Sequence, residues 1–338
     1  MKILVTGGLG FIGSHTVVEL QNKGFEVVII DNLSNASIHV LDGIYEITHK
    51  KPTFYNLDLR DKDLVFSFFN ENPDIDGVIH FAASKAVGES VQNPLLYYEN
   101  NLNTLIYLLQ NLQHKTRANF IFSSSCTVYG QAETMPITES APVQMAFSPY
   151  GNTKQIGEEI IIDTAKATNI NAILLRYFNP IGAHASIKIG ELPNGVPQNL
   201  IPFITQTAIG LRKQLSVYGN DYPTPDGTCI RDYIHVVDLA KAHVVALERL
   251  MSESNLEKVE TFNVGTGKGS SVLEVISAFE EVSGKKLNYK FVDRREGDIT
   301  SAYANTDKVN TVLGWKAEHS LKQAIESAWL WEQQIRKK

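Results

Sequence analysis

The chain has 338 residues, which favours two domains, and its 43% hydrophobic and 20% charged residues are typical of a soluble protein. A net charge of −6, with Arg336-Lys337-Lys338 as the only basic cluster, argues against a nucleic-acid partner. Cys126 and Cys229 lack the spacing of a metal site, and no apolar run reaches the roughly 18 residues of a membrane helix, so we expect a cytoplasmic protein with neither a metal nor a membrane partner.

The first half of the chain alternates short β-branched runs with helical segments. Strands are predicted at 2–5, 27–30, 54–57, 77–81, 119–122 and 172–175, and helices at 11–23, 61–70, 95–112 and 148–168. This alternation predicts an α/β fold with a doubly wound parallel sheet of the Rossmann type.

The character of the sequence changes after residue 178. Loops lengthen and become rich in Pro, Gly and Asn, as at 193–195 and 221–227. Long ordered loops often carry binding functions. We therefore predict a dinucleotide-binding domain at 1–178 and a smaller, mixed α/β substrate domain at 179–338, with some segments crossing between the two.

A glycine-rich turn follows the first predicted strand. Gly7, Gly10 and Gly13 stand between that strand and the first helix, where the absence of Cβ atoms lets the backbone approach a pyrophosphate. The N-terminus of the helix then offers free N–H groups to the negative charge. Asp31 ends the next strand, where a carboxylate can accept from ribose hydroxyls and would repel a 2′-phosphate. The pattern predicts an NAD site.

Tyr150 and Lys154 are four residues apart and therefore share one face of a predicted helix. A nearby ammonium and the positive nicotinamide of NAD⁺ favour the phenolate, so we expect a lowered pKa for Tyr150 and a role as general base. The serine-rich segment 123–125 follows a strand, at the edge where ligands bind in such sheets. A hydroxyl there, Ser125, can hydrogen-bond the reacting oxygen.

These motifs together resemble the UDP-glucose 4-epimerases of the extended short-chain dehydrogenase/reductase family, along nearly the whole chain. Besides the glycine turn, the matching segments are 81–83, 123–130, 148–151, 176–180, 219–224, 231–235 and 294–298. The resemblance implies a cofactor, NAD, that stays bound, a UDP-sugar substrate, and a homodimer formed through the helices at 95–112 and 148–168.

The resemblance also implies which residues line the two ligands. The cofactor residues would be Gly7, Gly10, Phe11, Ile12, Gly13, Asp31, Asn32, Asn35, Asp58, Leu59, Phe81, Ala82, Ala83, Lys85, Asn100, Ser125, Tyr150, Lys154 and Phe178. The substrate residues would be Ser125, Tyr150, Asn179, Asn199, Leu200, Val217, Tyr218, Arg231, Arg295, Asp298 and Ala302. Arginines suit diphosphate oxygens, and an aromatic ring such as that of Tyr218 can flank uracil.

The implied reaction is 4-epimerisation through a 4-keto sugar, with Tyr150 as base and then acid. Ala302 falls on the position beside the sugar 2-substituent, where relatives restricted to glucose and galactose have a tyrosine. An alanine there leaves room for an acetamido group, which predicts activity on UDP-GlcNAc/UDP-GalNAc as well as UDP-Glc/UDP-Gal. If the alignment of this segment with the family is shifted by one residue, Tyr303 would instead occupy this gate position beside the sugar 2-substituent.

Three alternatives remain open at this point. A nucleotide-sugar 4,6-dehydratase would need an Asp-Glu pair where this chain has Cys126 and Thr127, which disfavours it. A UDP-uronic acid 4-epimerase or decarboxylase would need a cation or added donors near the sugar C6, which the sequence does not locate. A regulatory NAD sensor would have no need for Ser125, Tyr150 and Lys154 together.

Overall fold

The computed structural model describes residues 1–295 and 297–337; Glu296 of the 294–298 motif and Lys338 of the terminal basic cluster lie outside it. The strands are β1 (Lys2–Thr6), β2 (Glu26–Asp31), β3 (Thr53–Asn56), β4 (Ile75–His80), β5 (Ala118–Ser125), β6 (Ile170–Tyr177), β7 (Asn179–Ile181), β8 (Leu215–Tyr218), β9 (Ile230–His235), β10 (Val259–Val264), β11 (Gly269–Ser271), β12 (Tyr289–Val292) and β13 (Ser301–Ala302). The α-helices are α1 (Phe11–Asn22), α2 (Val40–Thr48), α3 (Lys62–Glu71), α4 (Val87–Gln92), α5 (Pro94–Leu112), α6 (Pro149–Ala167), α7 (Leu200–Ala208), α8 (Val236–Met251), α9 (Val272–Ser283), α10 (Asp307–Thr311) and α11 (Leu321–Ile335).

A seven-stranded parallel sheet, in the order β10-β6-β5-β4-β1-β2-β3, forms the larger layer. Its central strands are hydrophobic without alternation because helices cover both faces; Ile3, Leu4 and Val5 of β1 are all fully buried. The strand order reverses at β1, which has β2 on one side and β4 on the other. This arrangement confirms the predicted doubly wound fold and places a ligand crevice beyond the carboxyl ends of the strands.

The register brings those carboxyl ends into one row. Thr6 lies opposite both Ile30 and His80, and Ser125 lies opposite Tyr177. The serine-rich segment belongs to β5. This strand is longer than the one predicted at 119–122, because its pairing with β6 continues to Ser125. Residues from five different connections therefore meet at one edge.

Smaller sheets in the second half of the chain carry the long loops. β9 pairs with β7, β11 and β13, while β8 pairs with β12, and α7, α9 and α11 pack against them around a separate hydrophobic cluster. The segment from α8 to β10 returns to the larger layer: α8 packs on α1, and β10 pairs with β6. None of the described helices is long and apolar enough to cross a membrane.

Candidate active site

The turn after β1 leaves no space for a side chain at Gly7 or at Gly13. Gly7 has φ +67°, and a Cβ atom there would lie 2.8 Å from the backbone nitrogen of Ala82. A Cβ atom on Gly13 would lie 2.2 Å from the carbonyl oxygen of Gly7. Gly10 precedes α1 without a side-chain cap, so the first N–H groups of the helix are available to an anion, beside Phe11 and its neighbour Ile12. This cradle fits the pyrophosphate of a dinucleotide.

Asp31 fixes this turn in addition to facing the crevice. Its carboxylate accepts hydrogen bonds from the backbone N–H groups of Leu9 at 3.1 Å and Leu33 at 2.9 Å. Burial raises the pKa of Asp31, and these two N–H groups counteract the rise. Each carboxylate oxygen retains capacity for a second donor, as a ribose hydroxyl requires. The sequence pattern indicated the ribose contact of Asp31 and gave no signal that Asp31 also holds the turn.

Asn32 and Asp58 meet at the end of β2 and β3. The amide of Asn32 donates to Asp58 at 3.2 Å, and the Arg60 guanidinium donates to the same carboxylate at 2.7 Å. The hydrogen bonds from Arg60 are the main cause that lowers the pKa of Asp58 to about 2, so this group is ionised at neutral pH. No sequence pattern indicated Arg60, whose contribution depends on the loop geometry.

The remaining candidate cofactor residues are not equivalent. Phe81, Ala82 and Ala83 follow β4 directly, and the Asn100 amide holds the next loop by donating to the Ser84 hydroxyl at 3.0 Å.

Three other candidates differ in exposure. Leu59 is buried in the core, so it could contact a ligand only through its backbone. Asn35 is exposed on the loop after β2, and Lys85 is exposed with its ammonium 4.0 Å from Glu191.

Tyr150, Lys154 and Ser125 converge at the same edge of the sheet. Ser148 begins α6 by accepting a hydrogen bond from the backbone N–H of Gly151 at 3.1 Å, which places Tyr150 in the first turn. The Lys154 ammonium is 5.8 Å from the centre of the Tyr150 ring and donates to the carbonyl oxygen of Ser123 at 2.7 Å. Ser125 ends β5.

The electrostatics of this group correct one expectation from the sequence. Burial raises the pKa of Tyr150, the nearby Tyr177 phenol raises it further, and the Ser125 hydroxyl acts in the opposite direction. Burial also lowers the pKa of Lys154 to about 8. The predicted lowering of the Tyr150 pKa is therefore wrong for the protein chain by itself, because desolvation by burial is the largest effect on this phenol.

Four candidate substrate residues form a charged and aromatic group. The Arg295 guanidinium donates to Asp298 at 2.9 Å and lies over the Tyr218 ring, 5.5 Å from its centre. Arg231 on β9 is 3.8 Å from the same carboxylate. Tyr218 is 44% exposed, so one face of its ring is available for stacking. Asp298 holds the two guanidinium groups close together, so that both could donate to the oxygens of one diphosphate.

The other substrate candidates lie around this group. Asn179 begins β7, and Asn199 precedes α7, donating from its amide to Glu191 at 2.9 Å. Leu200 is the first residue of α7. The Val217 side chain is only 1% exposed and packs in the second core, so it could contact a nucleotide only through its backbone.

Ala302 is the last residue of β13, and Tyr303 follows it directly. Ala302 pairs with Arg231 and packs in a cluster with Phe178 and Val128. The Tyr303 ring lies beside Gly269, where an added Cβ atom would be 3.0 Å from it. Ala302, and not Tyr303, therefore packs in the same hydrophobic cluster as the predicted nicotinamide residue Phe178.

The positions that disfavour a dehydratase hold no acid. Burial raises the pKa of the Cys126 thiol to about 12, and the Thr127 hydroxyl is buried without a hydrogen-bond partner. Neither group is suited to transferring a proton at neutral pH. Within residues 1–295 and 297–337, no cluster of His, Cys, Asp or Glu could hold a metal ion.

Comparison with known proteins agrees with this geometry. A family model described as GDP-mannose 4,6 dehydratase matches residues 4–328. The UDP-glucose 4-epimerase of Bacillus subtilis is 52% identical over 333 residues, covering 98% of this chain and 97% of the relative. The crystal structure of UDP-glucose 4-epimerase from Bifidobacterium longum in complex with NAD⁺ and UDP has a TM-score of 0.94 at 46% identity, with 99% of each chain covered.

A second solved structure is similar over an equal length. The UDP-glucose-4-epimerase from Stenotrophomonas maltophila, with bound NAD and formylated UDP-arabinopyranose, has a TM-score of 0.95 at 45% identity and covers 100% of this chain and 99% of that one. The similarity in sequence and the similarity in structure both extend over nearly the full length, and both point to the same family. The chain therefore belongs to the UDP-glucose 4-epimerase family.

Proposed function

We propose that this protein catalyses the NAD-dependent 4-epimerisation of UDP-sugars, interconverting UDP-Glc and UDP-Gal. The observation that carries the proposal is the meeting of Tyr150, Lys154 and Ser125 at the sheet edge that also carries the glycine turn. The family membership of the chain supports it. A protein that only sensed NAD would not need a base, an ammonium and a hydroxyl beside the cofactor.

Each residue has a defined role in this reaction. NAD⁺, when bound, would accept the hydride from the sugar C4, return it to the opposite face of the 4-keto sugar, and add its positive charge to that of Lys154. Tyr150 as phenolate takes the proton of the sugar 4-hydroxyl, and Ser125 donates a hydrogen bond to that oxygen. Tyr150 returns the proton after the 4-keto sugar has turned to present its other face. Arg231 and Arg295 hold the diphosphate, so the nucleotide stays fixed while the sugar moves.

Product analysis after separate incubation with UDP-Glc, UDP-GlcNAc and UDP-GlcA tests the proposal. We expect UDP-Gal from UDP-Glc. Conversion of UDP-GlcA alone would favour a uronic acid epimerase or decarboxylase, and a 4-keto-6-deoxy product would favour a dehydratase. Either result would contradict the assignment.

We further propose that UDP-GlcNAc and UDP-GalNAc are substrates. Support comes from Ala302, a small residue in the same hydrophobic cluster as Phe178, whereas the Tyr303 ring lies beside Gly269. The Ala302→Tyr variant should lose UDP-GlcNAc turnover by ~10-fold or more and keep UDP-Glc turnover within a few-fold, because the larger side chain occupies the space of the acetamido group. Coupled assays measure the turnover of UDP-Glc and of UDP-GlcNAc. Equal losses of turnover on these two substrates would contradict the role of Ala302 in substrate size.

The protein works, we propose, as a cytoplasmic homodimer. α5 and α6 pack side by side, and α5 exposes Leu95 at 80% and Leu96 at 38%, an apolar surface that a second copy would cover. Both cysteines are free, as in a reducing compartment. Sedimentation analysis should give twice the chain mass, and cell fractionation should place the activity in the cytosol; a monomer or a membrane-bound fraction would contradict these expectations.

A further inference from the structure

A buried ion pair joins the catalytic helix to the sheet. Glu158 on α6 is 4% exposed and Arg176 on β6 is 7% exposed. The guanidinium donates twice to the carboxylate, at 2.9 and 2.5 Å, and the Ser124 hydroxyl of β5 donates to it at 2.5 Å. One carboxylate thus connects α6 with the two strands that end at the active site.

The network continues away from the active site through neutral groups. Arg176 also donates to the Tyr129 hydroxyl at 3.0 Å, which donates in turn to the side-chain oxygen of Asn263 at 2.7 Å. All these side chains are buried. A buried charge is tolerated when it is paired and its remaining hydrogen-bonding capacity is used, as it is here. The network therefore holds the Glu158 carboxylate in one geometry.

Glu158 lies one helical turn beyond Lys154, so the two buried side chains share a face of α6. Burial lowers the pKa of Lys154, and the charge of Glu158 raises it. The Lys154 ammonium also contacts the face of the Phe122 ring, 5.0 Å from its centre. Without an opposing carboxylate, the ammonium would lose its proton more readily in this interior.

The other titratable groups around the site lie on several elements of the fold. They are Tyr150 on α6 itself, His80 on β4, Tyr177 on β6, Cys126 after β5 and Tyr97 on α5, which donates to Glu89 of α4. Burial holds the pKa of His80 at about 3, so its ring is neutral. Burial raises the pKa of Tyr177 and Cys126 to about 12, so both are neutral as well. The carboxylate that acts on Lys154 is that of Glu158.

We propose that Glu158 is a positioning residue. Arg176 and Ser124 hold its carboxylate, which fixes α6 against the sheet. The same carboxylate keeps the Lys154 ammonium charged beside the Tyr150 ring. The inference rests on the proposed function, because it assigns Lys154 the role of supporting a catalytic phenolate. It predicts that the charge of Glu158, and not only its packing, matters to the reaction.

The chain offers a matched control for this test. Glu260 on β10 is 7% exposed and forms a second buried pair, in which Arg249 of α8 donates at 2.7 and 2.9 Å. Glu158→Gln and Glu260→Gln each remove one buried negative charge opposite an arginine. Both should destabilise the fold, since each leaves a guanidinium without its partner. Only the first should alter the pH dependence of the reaction.

The measurement is the pH profile of kcat with UDP-Glc for the wild type and both variants. In Glu158→Gln, the alkaline fall in kcat should move to lower pH by about one unit, with KM little changed, because Lys154 deprotonates earlier. Glu260→Gln should keep the wild-type profile. If Glu158→Gln folds poorly, the double variant Glu158→Gln/Arg176→Gln removes the orphaned charge and should shift the profile in the same direction by a smaller amount.

A second readout does not depend on turnover. The tyrosinate absorbance of each protein, after subtraction of the same protein carrying Tyr150→Phe, follows the ionisation of Tyr150 alone. Glu158→Gln should move this ionisation to higher pH. A profile and titration identical to those of Glu260→Gln would overturn the positioning role, whereas a wild type that fails to epimerise UDP-Glc would overturn the proposed function.

Discussion

Replacement of Tyr150 by phenylalanine is expected to lower kcat on UDP-Glc by ~10²–10⁴-fold, the usual contribution of a positioned acid or base. Only the hydroxyl is removed, and this hydroxyl is required both to take and to return the proton. The ring remains in the first turn of α6, so the cradle around Gly7 and Gly13 is unchanged. Steady-state assays give the activity, and the amount of NAD released on denaturation gives the cofactor content, which should match that of the wild type.

Tyr55→Phe is the control for this change. Tyr55 lies on β3, and its hydroxyl accepts a hydrogen bond from the Asn72 amide at 3.4 Å, far along the chain from the catalytic helix. Loss of that hydroxyl should leave kcat within about twofold of the wild type, since its distance exceeds that of a strong hydrogen bond. Substantial epimerase activity in Tyr150→Phe would refute the assignment of the base.

Gly13→Ala is expected to remove most of the bound NAD and to destabilise the protein by about 1–3 kcal/mol, as overpacking does. The new Cβ atom would lie 2.2 Å from the carbonyl oxygen of Gly7 and 2.9 Å from the Cα atom of Gly8. Both contacts are with backbone, so relief requires movement of the turn that would hold the pyrophosphate. Calorimetric titration with NAD⁺ and thermal denaturation measure the two effects.

Gly88→Ala gives the matched comparison. Gly88 also lies in the first turn of a helix, α4. The atom nearest to a Cβ added there is the side-chain oxygen of Gln198, at 3.9 Å. The gain in helix propensity, up to ~1 kcal/mol, should then appear as unchanged or slightly raised stability with normal NAD content. Similar effects from both substitutions would show that the Gly7 contact does not constrain the turn.

The sequence was sufficient wherever function depends on neighbours along the chain. The glycine turn, the strand that precedes it and Asp31 at the end of the next strand indicated a dinucleotide site because a βαβ unit is local. The spacing of Tyr150 and Lys154 predicted a shared helix face for the same reason. Helix ends were predicted well where they have a chemical signal, as with Ser148 and Pro149 at the start of α6.

The tertiary structure decided what depends on distant segments. Pairing with β6 extended β5 to Ser125, and packing placed Ala302 in the hydrophobic cluster of Phe178 and the Tyr303 ring beside Gly269. The rise in the pKa of Tyr150 follows from burial, which local spacing does not report. Glu158 became informative only when folding placed Arg176 and Ser124 against it. The sequence by itself determined the catalytic pair and its cofactor turn, and long-range packing determined the electrostatic environment in which that pair must work.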